Sequence, residues 1–117
     1  MSGSVSYHAG LAAEGLVETC YAASGHTLRA RRWRGQCGEI DLILERGGET
    51  VFVEVKKSRS IASAATRLSQ RQMRRILDAA AEYAAGLADG MGSAMRFDLA
   101  CVDALGRVEV IENAIWD

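Results

Sequence analysis

The stretch Glu39-Ile40-Asp41-Leu42-Ile43-Leu44-Glu45-Arg46-Gly47-Gly48-Glu49-Thr50-Val51-Phe52-Val53-Glu54-Val55-Lys56-Lys57 decides the fold. Residues 39–45 and 50–57 are rich in β-branched and large apolar side chains, which suit a pleated, half-buried surface. The two glycines between them supply the backbone freedom of a tight hairpin turn. Strand alternation sends Ile40, Leu42 and Leu44 one way and Asp41 with Ile43 the other; Val51, Val53 and Val55 form a core row opposite Phe52, Glu54 and Lys56. With a two-residue turn at Gly47-Gly48, Arg46 pairs with Glu49 and opposed residue numbers sum to 95. Asp41 then falls opposite Glu54, and Glu39 opposite Lys56. A three-residue turn would shift the register by one and break this pairing.

Opposed side chains in a hairpin lie roughly 4.5–5.5 Å apart at Cβ, and like charges there are destabilising. Folding alone therefore does not choose Asp41 against Glu54. Two readings follow. A divalent cation such as Mg²⁺ reverses the penalty, because it prefers carboxylate oxygens and water. Alternatively Glu39, Lys56, Asp41 and an arginine form a structural ion network on a solvent face, with Phe52 partly covered.

Working outward, residues 7–23 read as a helix with Leu11, Ala12, Gly15, Leu16, Val17 and Cys20 on its apolar side, stopped by Gly25. Residues 27–34 alternate weakly and read as a strand, followed by a turn at Gln36-Cys37-Gly38. Residues 58–66 read as a loop. A second helix starts at Ser69, where Ser69 and Gln72 match a capping box. Its apolar residues Leu68, Met73, Ile76, Leu77, Ala80, Tyr83, Ala84 and Leu87 recur at helical spacing. Residues 95–102 and 107–112 read as strands, with Met95, Phe97, Leu99 and Cys101 on one face; Arg96 and Asp98 point away from it and read as a structural ion pair or a polar rim. The order is α-β-β-β-α-β-β. The second helix crosses over between strands, which implies a mixed sheet.

The chain of 117 residues is the size of one domain, and 49% apolar with 25% charged residues is ordinary globular composition. No apolar run reaches the roughly 20 residues of a membrane span, and no secretory signal pattern is present, so a cytoplasmic location is expected. Three cysteines, Cys20, Cys37 and Cys101, show no C-x-x-C spacing and indicate neither a disulfide framework nor a zinc cage. They read as packing residues, with Cys37 exposed in its turn. His8 and His26 read as surface residues. The net charge of −1 conceals an asymmetry: residues 29–75 carry twelve basic residues and five acids, and the rest of the chain is strongly acidic. Binding follows local potential, so a polyanionic partner remains open beside a plain solvated surface. Trp33 among Arg31, Arg32 and Arg34 suits either base stacking or packing.

The segments Gly38-Glu39-Ile40-Asp41-Leu42-Ile43, Val51-Phe52-Val53-Glu54-Val55-Lys56, Arg96-Phe97-Asp98 and Ile111-Glu112-Asn113-Ala114 resemble, in order and spacing, the YraN-like family of small bacterial proteins. That family is similar to Holliday-junction resolvases and to the PD-(D/E)xK nuclease superfamily. The resemblance implies a single α/β domain over residues 1–117, with a restriction-endonuclease-like α-β-β-β-α-β core and a mixed central sheet flanked by helices. It implies a metal-dependent endonuclease hydrolysing phosphodiester bonds in DNA, including branched or structured DNA. Asp41 and Glu54 would bind Mg²⁺ or Mn²⁺, joined by Glu14 from the first helix; Lys56 would orient water or stabilise phosphate charge; Glu39 would stand behind the ligands. Arg29, Arg31, Arg32, Arg34, Lys57, Arg67, Arg71, Arg74 and Arg75 would track the nucleic-acid backbone. Branched substrates present paired strands, which suggests a homodimer with two sites. Some superfamily members carry a glutamine followed one turn later by a tyrosine; here Arg74 follows Gln70 and Ile76 follows Gln72, so Gln72 reads as a cap residue. The competing readings are a nucleic-acid-binding module that does not cut, and a protein-binding domain using the basic 29–75 face.

Overall fold

The computed structural model describes the backbone of residues 3–115 and the side chains of residues 12–115. Helix α1 (Gly3–Ala23) precedes strands β1 (Thr27–Arg34), β2 (Glu39–Arg46) and β3 (Glu49–Lys57). A short helix α2 (Ile61–Ala65) and helix α3 (Gln70–Ala84) lead to β4 (Met95–Val102) and β5 (Val108–Ile111). The five strands lie in sequence order in one sheet; β3 and β4 are parallel and the other neighbours antiparallel. The parallel pair is the consequence of the α2–α3 crossover, as the sequence implies. This is the expected restriction-endonuclease-like arrangement of a mixed sheet between helices.

The two faces of the sheet are covered differently. Ala13, Val17 and Tyr21 of α1 pack on Leu42, Leu44, Val51, Val53, Ala100 and Val102. On the other face Ala79 and Ala80 of α3 cover Ile40, Ile43 and Phe52. Ala64 of α2 extends that layer over Leu99 and Cys101. Small helix residues let the helices approach closely, while the strands supply the bulk.

Several expectations are corrected. The buried stripe of α1 is Ala13-Val17-Tyr21, spaced by four, so Ala12, Gly15, Leu16 and Cys20 are exposed and of the expected set only Val17 is buried. Leu11 and His8 lie outside the described side chains. Residues 58–66 are not all loop: five of them form α2, capped by the Ser60 hydroxyl accepting the Ser63 N–H at 3.0 Å, a helix too short to show a period. Phe52 is fully buried, so the face carrying Glu54 is roofed by α3 rather than open to solvent. Ile40 packs with Ile43 instead of with Leu42 and Leu44, so strand alternation fails between residues 40 and 42. At Ser69 the capping box forms as read, the hydroxyl accepting the Gln72 N–H at 3.1 Å. Trp33 stands half-buried with its ring edge-on to Tyr83, centroids 5.5 Å apart, which is packing. Cys20 and Cys37 are exposed, Cys101 is buried, and all three thiols are free.

Candidate active site

The hairpin keeps its expected register from Arg46↔Glu49 through Leu42↔Val53, and there the ladder ends. At the next position the Asp41 carboxylate accepts the backbone N–H of Val55 at 2.7 Å, taking the place of a main-chain acceptor. The same level is irregular on the other side of β2. Arg31 pairs with Leu42 and Trp33 with Ile40, but Arg32 between them has φ of 45°, in the left-handed region, and no ladder partner. A left-handed arginine costs roughly 1–2 kcal/mol, and such strain concentrates at functional sites. By the same register Asp41 lies opposite Glu54, one step beyond the last ladder pair.

Asp41 lies close enough to Glu54 for its charge to disfavour a second ionised carboxylate. The Glu54 side chain is 11% exposed, and its carboxyl is held well above the usual carboxylate range, first by burial, then by its bond to Asp41 and the Asp41 charge; Lys56 opposes the shift. Lys56 Nζ lies 3.3 Å from Glu54 Oε2. Glu14 on α1 is also raised, by burial first and then by the charge of Asp41; Arg32 counters this, and Glu39 adds to it. Helix α1 thus places Glu14 where it feels the charge of Asp41. Among the described residues, however, no three acidic, histidine or cysteine side chains converge at metal-binding spacing.

The expected Glu39–Lys56 partnership is absent. Glu39 pairs instead with Arg34 at 3.1 Å across β1–β2, and Lys56 with Glu54. The hairpin ladder has stopped three residues before it would bring Glu39 and Lys56 together. Sequence reasoning also missed the reach of α3. With its amide oxygen turned to Lys56, Gln72 accepts Nζ at 2.9 Å while its amide nitrogen donates to the Arg67 carbonyl at 3.2 Å. The opposite amide orientation closes the longer 3.4 Å bond from Ser69 N–H instead. The first arrangement satisfies both amide atoms with good partners and leaves the helix cap on the Ser69 hydroxyl. In that arrangement Gln72 joins the cap through its backbone N–H alone, and its side chain is a neighbour of Lys56. The available signal was the crossover itself, which sets the first turn of α3 beside the C-terminal half of β3.

Gly38, Glu39, Glu54, Gln72, Arg75 and Ile76 line a cleft of about 170 Å³, which opens the Glu54 carboxyl toward α3. The β1–β2 loop that borders it is pinned to α3 by Glu82, which accepts the N–H groups of Gln36 at 2.9 Å and Cys37 at 2.6 Å. Those bonds hold the Glu82 carboxyl low, and Glu82 in turn pushes the Cys37 thiol up, away from a reactive thiolate.

Arg96 and Asp98 form the ion pair expected of them, at 2.8 Å, on the α1 face and not in the cleft. Asp98 is fully buried and also accepts the Tyr21 hydroxyl at 2.7 Å and the Asn113 N–H at 3.1 Å. Burial and the bond to Asp98 raise the Tyr21 hydroxyl far above its ordinary range. This network joins α1, β4 and the segment after β5, and it is structural.

The donors at the β2–β3 break are hard carboxylate oxygens, the type Mg²⁺ and Mn²⁺ prefer. Mg²⁺ commonly takes only one or two protein carboxylates and completes its shell with water and phosphate, so Asp41 with Glu54 suits it without a full protein cage. Fold and site together define a restriction-endonuclease-like α/β domain with an acidic pair and a lysine at the edge of its central hairpin. The chain belongs to the uncharacterised protein family UPF0102, whose model matches residues 13–102. It is 61% identical over 114 residues to a UPF0102 protein of Cereibacter sphaeroides strain KD131, covering 97% of each chain. A UPF0102 protein of Ruegeria pomeroyi is 54% identical over 112 residues, 96% of this chain and 91% of its own. One from Ruegeria sp. TM1040 is 42% identical over 112 residues, 96% of this chain and 90% of its own.

Proposed function

We propose that the protein is a Mg²⁺- or Mn²⁺-dependent endonuclease that hydrolyses phosphodiester bonds in DNA, including branched or structured DNA. The observation that carries this reading is the Asp41–Glu54 pair, two carboxylates brought together in a buried setting with Lys56 beside them. Burying like charges side by side costs stability, and a hairpin of this composition would fold better without it. A cation between the carboxylates would remove the cost.

Asp41 and Glu54 would hold the cation, with Glu14 and Glu39 adding negative charge behind them. When bound, the cation would supply activation of water and neutralisation of the charge developing on the phosphate. Lys56 adds a second positive charge toward the phosphate and orients the attacking water; Gln72 fixes the ammonium by accepting one of its protons. The Val55 N–H locks one Asp41 oxygen and leaves the other for the metal. The roof of α3 limits the water that reaches Glu54.

The test is strand cleavage of labelled duplex, flap and four-way-junction DNA in Mg²⁺, in Mn²⁺ and in chelator, with Glu54→Ala and Lys56→Ala beside wild type. Metal-dependent cutting that both substitutions abolish is the expected result. Wild type that binds the same DNA and leaves it intact under every condition would instead define a nucleic-acid-binding module.

A further inference from the structure

The basic residues of this chain fall into two groups that the sequence alone does not separate. On β1, Arg29 bonds Glu45 at 2.8 Å, Arg31 makes a two-pronged bond to Glu18 at 2.9 and 2.7 Å, and Arg34 bonds Glu39 at 3.1 Å. These three arginines are matched by acids of α1 and β2. From residue 57 to residue 77, by contrast, there are six basic residues and no acid. Lys57, Arg59, Arg67, Arg71, Arg74 and Arg75 are all exposed, and no salt bridge to any of them is formed among the described residues.

Three of these arginines sit where helix stability would not place them. The first turn of α3 contains no acid, and Arg71 occupies it at the positive end of the helix dipole. Arg74 and Arg75 follow at three and four residues, so like charges face one another on adjacent turns. Both features destabilise a free helix, and both are relieved by an anion. Gln70, Arg71, Arg74, Arg75 and Asp78 line a groove of about 440 Å³, with Asp78 its one acid. Arg75 also lines the cleft that contains Glu54, so the groove and the cleft adjoin at Arg75.

We infer that the α3 surface, led by Arg71, Arg74 and Arg75, is the docking track for a nucleic-acid phosphodiester backbone, and that Arg29, Arg31 and Arg34 of β1 are structural. The inference rests on the hydrolytic reading of the cleft and specifies which surface delivers the substrate to it. A backbone laid in the groove meets unpaired guanidinium groups and, at Arg75, the cleft that Glu54 lines. On β1 the same backbone would meet Glu45, Glu18 and Glu39 beside Arg29, Arg31 and Arg34, acids whose charge repels a phosphate.

The experiment compares two variants of equal charge change in the full chain: Arg71→Gln/Arg74→Gln and Arg29→Gln/Arg31→Gln. Binding of fluorescein-labelled duplex and four-way-junction DNA is followed by anisotropy across a salt titration, in chelator so that no cleavage interferes. The α3 pair should bind more weakly, and the slope of log K against log salt should become shallower by about 1.8, two contacts at about 0.9 each. It should melt no lower than wild type, since repulsion has been removed; Arg71→Lys/Arg74→Lys should keep the binding. The β1 pair should keep affinity within about twofold, its phosphate contacts being nil, while melting lower. Equal weakening by both pairs, a loss confined to the β1 pair, or no DNA binding by wild type at low salt would overturn the inference. Cleavage is scored separately in Mg²⁺ and Mn²⁺. This binding pattern without cutting keeps the track and defeats the hydrolytic reading; cutting without this pattern defeats the track alone.

Discussion

Glu54 is the residue whose chemistry most separates the site from the scaffold. Its carboxyl is raised by burial and by Asp41, so the folded protein holds a proton that the unfolded chain releases at ordinary carboxylate pH. The folded state then binds more protons, and stability falls as pH rises above the unfolded pKa of Glu54, until its folded pKa is passed. Metal-free wild type should therefore lose on the order of 2 kcal/mol more stability between pH 5 and pH 8 than Glu54→Gln, which cannot ionise. Urea denaturation of both proteins in chelator at the two pH values measures this; parallel pH profiles would show that Glu54 titrates normally. The same competition predicts that Mn²⁺ raises the melting temperature of wild type more at pH 8 than at pH 5, and leaves Glu54→Gln nearly unmoved. Lys56 was legible as a partner in the strand, but Gln72 was not, because the bond between them joins residues whose proximity depends on where α3 begins.

That starting point belongs to the element. The Ser69 hydroxyl takes the Gln72 N–H and fixes the first turn of α3, while the exposed face of that turn carries arginines and no acid to favour it. Ser69→Ala should cost about 1 kcal/mol in thermal or urea unfolding, as N-cap losses do. Because Gln72 is in that turn and touches Lys56, cleavage should slow by more than the small unfolded fraction explains. An activity loss no larger than the folded fraction allows would mean that the cap serves the helix alone. The β2–β3 hairpin shows the opposite case, an element almost wholly readable. Its Gly47-Gly48 turn, with φ of 58° and 82°, forced the register that puts Asp41 and Glu54 at the same level. What strand periodicity could not show is that the ladder stops there, since that depends on the Asp41 side chain taking the Val55 N–H and on Arg32 leaving the β region.

At the scale of the whole molecule, the Asp98 network holds the α1 layer to the sheet. Asp98 is completely buried, and its two oxygens serve Arg96, Tyr21 and Asn113 on three separate segments. Asp98→Ala strands a largely buried guanidinium with only the looser Glu49 and Glu112 contacts at 3.6 and 3.8 Å, and should cost about 3–5 kcal/mol. Tyr21→Phe removes one bond and should cost about 1–2 kcal/mol. Equilibrium denaturation checks both; a cost for Asp98→Ala no greater than for Tyr21→Phe would show that Arg96 finds other partners or water. Neither substitution touches the α3 groove, so DNA affinity at a temperature where the variants are folded should be unchanged.

The sequence by itself determined the order of the five strands and the two long helices, the hairpin register, the mixed sheet and the level at which two carboxylates meet. These follow from period, turn chemistry and a crossover length, all of them local. Tertiary structure alone decided that the Glu54 face is roofed, that Glu39 turns to Arg34 and Lys56 to Glu54, and that Gln72 reaches the lysine. It also decided which arginines are already paired. Charge along a chain is counted residue by residue, but an ion pair depends on which acid the fold brings within a few ångströms, and Glu18 and Glu45 reach β1 whereas no acid pairs with the arginines of α3 among the described residues.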